Sequence, residues 1–267
     1  MRAWTTGSCW AWKTLASLND EAVVDPSRNP AIATSDDPAP LAARGPAPGP
    51  AQVDSEKGPT EWQEGRHGVG PWEGEWPTDE RYDEAFLRDG DRRNVVDQYR
   101  YWSLEAIKED LDTRRHPFHV AIENFENDMN IGTVVRTANA FLAEAVHIVG
   151  KKRWNRRGAM VTDRYQHIVH HETVAELAQY AAEHDLTIVA IDNTPGSVPL
   201  ESAELPERCL LLFGQEGPGV TEQAQDAAVM TCSIAQFGST RSINAGVAAG
   251  IAMHAWIRQH ADLSTAW

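Results

Sequence analysis

Asn130 and Arg136 lie six residues apart in the stretch NFENDMNIGTVVRTANAF, directly after a predicted strand. Asn130 is placed to cap a helix that begins at Ile131, because its side-chain oxygen could accept a hydrogen bond from a free backbone N–H group there. Arg136 falls on the second turn of that helix, and its planar guanidinium could bind a phosphate through paired hydrogen bonds. On spacing alone, a cap and an ordinary surface arginine are the simpler interpretation.

A second candidate site is the glycine-rich stretch LLLFGQEGPGVTEQ, in which Gly214, Gly217 and Gly219 follow an apolar strand. Glycines allow the backbone to approach a ligand closely, and Thr221 is predicted to cap the next helix. The stretch lacks the Gly-Lys-Ser/Thr of a phosphate-binding loop, and the carboxylate of Glu216 would repel phosphates. A neutral or cationic small ligand, such as a sulfonium nucleoside, fits this loop better.

The third candidate site is QFGSTRSINAGVAAGIAMHAW, residues 236–256. Ser242 or Asn244 could cap a final helix that begins near Ile243. Gly246 and Gly250 follow at a four-residue spacing among alanines. Since each glycine lowers helix propensity, this choice predicts a helix that is packed tightly against another part of the chain.

One segment, KKRWNRRGAMVTDR, is densely basic in a chain whose formal net charge is −15. It follows a predicted strand end at Gly150, and two interpretations stay open for it. It is either a solvated loop or an RNA-binding surface on which Trp154 could stack against a base. Its candidate RNA-binding residues are Lys151, Lys152, Arg153, Arg156, Arg157 and Arg164.

Composition limits the class of protein. The chain has 267 residues, of which 42% are hydrophobic, so it can bury one substantial core. Its acidic balance argues against a purely electrostatic nucleic-acid binder. The three cysteines form no CxxC pair, which favours free thiols over disulfides or a zinc site, and we expect no metal. No stretch reads as a signal peptide or a membrane span, so we expect a soluble, cytoplasmic protein.

The chain divides into three predicted parts. Residues 1–77 are predicted to form an extension that is largely disordered, because residues 26–59 are rich in proline. Within this extension, the stretch GRHGVGPWEGEWP is predicted to form a surface turn and not a dinucleotide-binding loop. Residues 78–116 are predicted to form a helical arm that packs on the main domain. From residue 117 to 267, apolar strands alternate with helices, which predicts a mostly parallel α/β sheet covered on both faces. Ligands should bind where its strands end, after Phe125, Gly150, Gly214 and Ile234.

The three candidate sites together resemble those of one protein family. The patterns N-x-x-x-x-x-R, F-G-x-E-G-x-G and S-[LI]-N before a helix of small residues occur here in the order, and with the spacing, of the SpoU/TrmH branch of the SPOUT RNA methyltransferases. The resemblance covers residues 117–259. It implies S-adenosylmethionine-dependent methylation of a ribose 2′-OH in tRNA or rRNA, by a homodimer whose C-terminal part forms a deep trefoil knot.

The resemblance also implies roles for individual residues. The cofactor should lie against the backbone of Gly214, Ile234 and Ile243, with Gly217 and Gln236 nearby. The catalytic cluster should comprise Asn130, Arg136, Glu216, Ser242 and Asn244. Arginine is a poor base, so for Arg136 phosphate binding and orientation of the hydroxyl come before proton abstraction. Two positions depart mildly from the family pattern, Ala235 in place of proline and Ile243 in place of leucine.

Two other functions stay open from the sequence. The first is a non-catalytic RNA-binding or ribosome-assembly factor on the same fold. The second is a nucleotide-binding regulatory domain without an RNA partner, for which the basic segment 151–164 would have to be inert.

Overall fold

A parallel sheet forms the centre of the molecule, which we describe from a computed structural model for residues 68–123, 125, 127–150 and 153–266. Seven strands lie in the order β3-β2-β1-β6-β4-β7-β5, and every neighbouring pair is parallel. The α/β prediction is confirmed, with a sheet that is parallel throughout. The strands are β1 His119–Glu123, β2 Ala145–Val149, β3 His167–His171, β4 Thr187–Ile191, β5 Val198–Pro199, β6 Cys209–Phe213 and β7 Met230–Ser233.

Helices cover both faces of this sheet because its central strands are apolar on both sides. In β6, Leu211 and Phe213 pack into the core on one face, while Leu210 and Leu212 pack into a second core on the other. Helices α3 and α6 contribute to the first core, and α4 and α5 to the second. The helices are α1 Glu84–Asp89, α2 Leu104–Asp112, α3 Asp128–Ala140, α4 Val174–Glu183, α5 Glu222–Ala227 and α6 Ala245–His260.

The order of the strands places a crevice at the centre of the sheet. β1 and β6 are neighbours, and the chain continues from β1 to β2 and β3 on one side and then crosses to β4 on the other. In open parallel sheets, ligands bind beyond the carboxyl ends of the strands at such a switch point. The loops after β1 and β6 therefore face each other at this edge.

The small residues of α6 pack against α3. A Cβ atom at Gly246 would lie 3.0 Å from Cγ2 of Thr133, and one at Gly250 would lie 3.8 Å from Cγ2 of Thr137. The tight packing predicted for the final helix is confirmed at Gly246, with α3 as the partner, whereas the contact with α3 at Gly250 is an ordinary one. This helix begins at Ala245, two residues later than predicted.

The arm that precedes the sheet has a small aromatic core. Tyr99, Trp102 and Ile107 are buried together with Tyr165 of the main domain. Residues 68–77, which the sequence assigned to the extension, also contact the arm: the backbone N–H of Trp72 donates to the carbonyl of Leu87. The division at residue 77 would therefore cut through these contacts. The rest of the extension, residues 1–67, lies outside the described residues.

A row of buried histidines crosses three neighbouring strands. Nδ1 of His119 lies 2.9 Å from Nε2 of His147, and Nδ1 of His147 lies 2.9 Å from Nε2 of His171. The ring of Tyr180 packs against all three imidazoles. Desolvation is the main cause that lowers the pKa of His119 to about 4 and that of His147 to about 2, and the proximity of other histidines, which cannot all carry charge together, adds to it. The row is therefore neutral, and each ring can donate to the next.

This row predicts loss of stability in mild acid. The unfolded chain binds protons below the ordinary histidine pKa of 6.5, whereas folded His119 and His147 do not until far lower pH. The free energy of unfolding is therefore highest above pH 6.5 and falls as the pH falls towards 4. At pH 5, His119 and His147 should each lower it by about 2 kcal/mol. Urea unfolding at pH 7.5 and pH 5.0 measures this difference. His254→Gln, at an exposed histidine, should leave the loss unchanged, and equal stabilities at the two pH values would contradict the prediction.

No helix in the described part of the chain is both long and apolar enough to cross a membrane.

Candidate functional site

Hydrogen bonds join three of the predicted site residues at the carboxyl edge of the sheet. The side-chain amide of Asn130 donates to Glu216. The carbonyl oxygen of the Asn130 side chain accepts from Nδ2 of Asn244 at 3.0 Å. The other oxygen of Glu216 accepts from the backbone N–H of Asn127 at 2.8 Å. Each of the three sequence motifs thus contributes one residue to a single network.

The network differs from the prediction in the role of Asn130. Helix α3 begins at Asp128, and Asn127 caps it by accepting from the N–H of Met129 at 3.0 Å. The prediction that Asn130 caps this helix is therefore wrong. Asn130 lies inside the first turn and is 8% exposed, so both ends of its amide are available to link the loops. Sequence reasoning missed Asn127, although an asparagine before an acidic residue is a common helix start.

Asn244 has two functions in this network. Its side-chain oxygen accepts from the N–H of Val247 at 3.1 Å and caps α6, while its Nδ2 reaches Asn130. The choice left open between Ser242 and Asn244 as the cap is thus decided for Asn244. Ser242 is exposed, and its backbone carbonyl lies 3.3 Å from the hydroxyl of Thr240.

The glycine-rich loop folds back on itself directly after β6. Gln215 and Gly219 exchange two backbone hydrogen bonds, at 2.8 and 3.0 Å. A Cβ atom at Gly214 would lie 2.0 Å from the backbone nitrogen of Val220, so only glycine fits there. Gly217 has a φ of +99° and nothing within 4 Å of a Cβ atom, which leaves space open to a ligand. Thr221 caps α5 as predicted.

Two residues after β4 fix the neighbouring loops, and sequence reasoning did not single them out. Oδ2 of Asp192 accepts from the N–H of Val220 at 2.7 Å. Nδ2 of Asn193 donates to the carbonyl of Arg241 at 2.8 Å. Asp192 therefore holds the glycine-rich loop, and Asn193 holds the loop before α6. Their position after the apolar strand LTIVAI was the available signal, since all parallel strands end at this edge.

The predicted cofactor residues after β7 lie on one loop. Ile234 and Gln236 are half-buried and Ile243 is 36% exposed. The N–H of Ala235, which stands where the family pattern has proline, donates to Oε1 of Glu201 at 3.0 Å. The loop therefore carries partly exposed apolar side chains at the carboxyl end of β7.

Arg136 is exposed on α3, two turns beyond the network. Among the residues that the structure describes, its guanidinium has no hydrogen bond or ion pair. The structure does not join it to Asn130, and its position is that of a side chain available to an external anion.

The basic segment is docked on the first turns of α3. The N–H of Asn155 donates to Oδ2 of Asp128 at 2.9 Å, and Gly132 and Gly158 form a close backbone contact. The four described arginines, Arg153, Arg156, Arg157 and Arg164, are exposed. Arg156 also lies 3.4 Å from Asp163. Lys151 and Lys152 lie outside the described residues. The loop that carries these arginines is therefore fixed to the first turns of α3, the helix that also carries Asn130.

This docking predicts a strong effect of alanine at Gly132. Alanine normally stabilises a helix interior by about 1 kcal/mol relative to glycine. At Gly132, however, the Cβ atom would lie 2.3 Å from the backbone of Gly158, so we expect a net loss of about 2 kcal/mol and weaker RNA binding. The matched variant Gly250→Ala meets only ordinary contacts and should be stabilised by about 0.5 kcal/mol. Thermal unfolding compares them, and a stabilised Gly132→Ala would show that the loop is not held by this contact.

The described residues contain no group of three or more histidine, cysteine, aspartate or glutamate side chains arranged to hold a metal ion. Cys209 and Cys232 are buried free thiols, and burial raises the pKa of Cys209 to about 12. Neither thiol is therefore suited to act as a nucleophile.

A parallel sheet with helices on both faces, whose central carboxyl edge joins three polar and glycine-rich loops, defines an α/β protein of the open-sheet class, in which ligands bind at that edge. The chain belongs to the SpoU rRNA Methylase family, which matches residues 117–254, just over half of its length. The family predicted from the three motifs is confirmed.

Relatives and solved structures agree with this assignment. The chain is 24% identical over 156 residues to the tRNA (guanosine(18)-2′-O)-methyltransferase of Escherichia coli, covering 57% of this chain and 68% of that enzyme. It is 27% identical over 161 residues to the 23S rRNA (guanosine-2′-O-)-methyltransferase RlmB of Neisseria meningitidis, covering 58% of this chain and 63% of that one.

Two crystal structures share the fold. The A. aeolicus TrmH/SpoU tRNA modifying enzyme superposes with a TM-score of 0.53 at 24% identity, covering 58% of this chain and 81% of that one. AviRb from Streptomyces viridochromogenes, in complex with AdoMet, superposes with a TM-score of 0.51 at 22% identity, covering 56% of this chain and 60% of that one. Residues 68–116 lie outside the family match, so the family assignment does not account for their function.

Proposed function

We propose that the protein transfers a methyl group from S-adenosylmethionine to a ribose 2′-OH of tRNA or rRNA. The observation that carries this proposal is the network of Glu216, Asn130 and Asn244, which joins one residue from each family motif. Family membership supports the cofactor and the reaction class, and both relatives described above are named as RNA 2′-O-methyltransferases.

The loops at the carboxyl edge fit the cofactor. Gly217 borders open space, and Ile234 and Ile243 offer apolar surface for an adenine ring. The backbone of Gly214 is held rigidly, and Gln236 lies on the same loop as Ile234. Glu216 supplies negative charge near a site that would receive a cationic sulfonium. When bound, S-adenosylmethionine would supply an electrophilic methyl group on its sulfur.

The polar residues divide into a scaffold and a substrate-binding group. Asn130, Glu216 and Asn244 hold one another and keep the three loops in fixed relative positions. Arg136 and Ser242 are exposed and available to the RNA. Arg136 would bind a phosphate next to the target ribose and orient its 2′-OH for attack. Positioning of this kind can supply most of the rate acceleration in a displacement reaction.

The basic segment would bind the RNA backbone. Its exposed arginines lie on a loop fixed to the start of α3, close to Asn130. RNA held there would lie over the carboxyl edge of the sheet. This favours an RNA-binding surface over an ordinary solvated loop, since an inert loop would not need such close docking.

We also propose a homodimer, a trefoil knot and a cytoplasmic location. Met129, Val247 and Ile251 are 62%, 52% and 39% exposed on the adjoining helices α3 and α6, and a second copy would cover them. The knot would form as the chain from β7 to α6 passes behind the glycine-rich loop. The bond from Asn193 to Arg241 supports this only by bringing that chain to the end of β4, where Asp192 holds the glycine-rich loop. The methyltransferase domain would begin at residue 117, with the arm before it.

The test is methylation of undermodified tRNA and rRNA, offered separately with radiolabelled S-adenosylmethionine. Label in one fraction, at a ribose whose 3′ phosphodiester bond resists alkali, would establish both the reaction and the substrate class. Cofactor binding without label in either fraction would indicate an RNA outside these two pools. RNA binding without any cofactor binding would overturn the proposal in favour of the non-catalytic RNA-binding factor.

A further inference from the structure

An open pocket lies between residues 70–73 and the arm, separate from the residues of the proposed methyltransferase site. The pocket has a volume of about 520 Å³ and is lined by Gly70, Pro71, Trp72, Glu73 and Tyr101. The rings of Trp72 and Tyr101 lie 5.2 Å apart at an angle of 78°. The two rings pack edge to face against each other, and the carboxylate-bearing Glu73 lines the same pocket.

The position of Tyr101 is fixed at a cost in backbone strain. Its φ is +64°, a conformation that residues other than glycine rarely adopt and that costs about 1–3 kcal/mol. Its hydroxyl donates to the carbonyl of Gly70 at 2.7 Å, and its N–H donates to Oδ2 of Asp91 at 3.0 Å. Tyr101 is thus strained in its backbone and fixed by hydrogen bonds at both its N–H and its hydroxyl, which points to a function for its ring.

Buried Asp91 holds Tyr101 in place beside the pocket. It receives a paired hydrogen bond from Arg93, at 2.9 and 2.7 Å, in addition to the N–H of Tyr101. Burial alone would raise the pKa of Asp91, but these hydrogen bonds hold it below its ordinary value. The carboxylate therefore stays charged and keeps Tyr101 in place. The pocket is preorganised before any ligand binds.

The charge around the pocket selects a cation. Residues 68–101, which include the whole lining of the pocket, contain nine carboxylates and five arginines, a net charge of −4. An RNA phosphate would be repelled here, whereas a cation would gain both from the carboxylates and from the aromatic faces. Burial raises the pKa of Tyr101, the negative charges of Asp91 and Glu73 raise it further, and the positive charge of Arg100 opposes them.

The arm already uses this type of contact internally. The guanidinium of Arg81 lies 4.3 Å from the ring centre of Trp102, and that of Arg93 lies 3.9 Å from the ring centre of Phe86. Within the described residues, no guanidinium lies over Trp72 or Tyr101. In the described residues, the Trp72–Tyr101 pair is therefore an aromatic pair of the arm region without a guanidinium over its rings.

We propose that this pocket binds an arginine or lysine side chain of a basic protein segment, and that the arm thereby docks the enzyme on a cationic protein partner. The rings of Trp72 and Tyr101 would contact the cation, and Glu73 would pair with it. The proposal does not depend on the methyltransferase assignment, because every lining residue of the pocket precedes the family match.

The test uses the full chain and a fluorescein-labelled peptide in which six arginines alternate with glycines. Its neutral counterpart carries citrulline at the same positions. Anisotropy titrations should give binding that weakens about tenfold on replacement of arginine by citrulline, about tenfold in Trp72→Leu and about threefold in Glu73→Gln. The matched variants Trp76→Leu and Glu80→Gln, which alter exposed residues outside the pocket lining, should stay within about twofold of the unaltered chain.

Three outcomes would overturn this proposal. Equal losses in the pocket variants and the matched variants would mean that the peptide binds only through the acidic charge of the whole chain. Absence of saturable binding would mean that the pocket does not take a cation. Reduced RNA binding in Glu73→Gln, with peptide binding intact, would assign the pocket to RNA.

Glu73 is exposed, so its variant tests the pocket even if Trp72→Leu fails to fold. Methylation of free RNA should be unchanged in Glu73→Gln, which separates this test from that of the catalytic site.

Discussion

Arg136→Ala should abolish RNA methylation, lowering kcat/KM by about a thousandfold or more, while the Kd for S-adenosylmethionine changes less than about twofold. The physical reason is the position of the side chain. Arg136 is exposed on α3 and has no ion pair among the described residues, so removing it should not disturb the fold or the cofactor loops. It would remove only the contact with the substrate. Methyl transfer under single-turnover conditions and calorimetric cofactor binding measure the two quantities.

Two further variants make this result specific. Arg136→Lys keeps the charge but loses the paired hydrogen bonds of the guanidinium, so its activity should lie between that of Arg136→Ala and that of the unaltered chain. Arg258→Ala removes an exposed arginine from the last turn of α6 and should leave activity unchanged. A fully active Arg136→Ala would show that the role assigned to this residue is wrong.

Gly214→Ala should have a comparably large effect, but on cofactor binding. The new Cβ atom would lie 2.0 Å from the nitrogen of Val220 and 2.1 Å from the carbonyl carbon of Gly219. Both are backbone atoms, so no change of rotamer can relieve the contact, and the loop must move. Because Glu216 lies in this loop, its bonds to Asn127 and Asn130 would be broken as well. We expect the cofactor Kd to rise at least about a hundredfold and the free energy of unfolding to fall by about 2–4 kcal/mol.

The matched control for this variant is Gly238→Ala, in the loop before α6. A Cβ atom there meets nothing within 4 Å, and its φ lies in the range that alanine adopts freely. Cofactor affinity and thermal stability should stay close to those of the unaltered chain. Normal cofactor affinity in Gly214→Ala would mean that the cofactor does not depend on the shape of the glycine-rich loop.

Much of the fold and of the site followed from the sequence. The continuous apolar runs, such as CLLLF in β6, predicted strands buried on both faces, because a strand covered on one side only would alternate with polar residues. The three motifs predicted which residues belong to the site, since Asn130, Glu216 and Asn244 are recognisable by type and spacing. The cap at Thr221 followed from its place directly before a helix-forming stretch.

Other features depended on contacts between distant parts of the chain, which local spacing does not encode. Asn130 looked like a helix cap, yet Asn127 takes that role and leaves the Asn130 amide to bridge loops 86 and 114 residues away. Asp192 and Asn193 looked like an ordinary strand end until the parallel sheet brought the loops they hold beside them. The strained backbone at Tyr101 is likewise a product of the fold.

The sequence by itself determined the elements and the chemical groups, because these depend on local periodicity and residue type. The tertiary structure decided which groups meet, because a hydrogen bond between distant residues depends on the path of the whole chain between them.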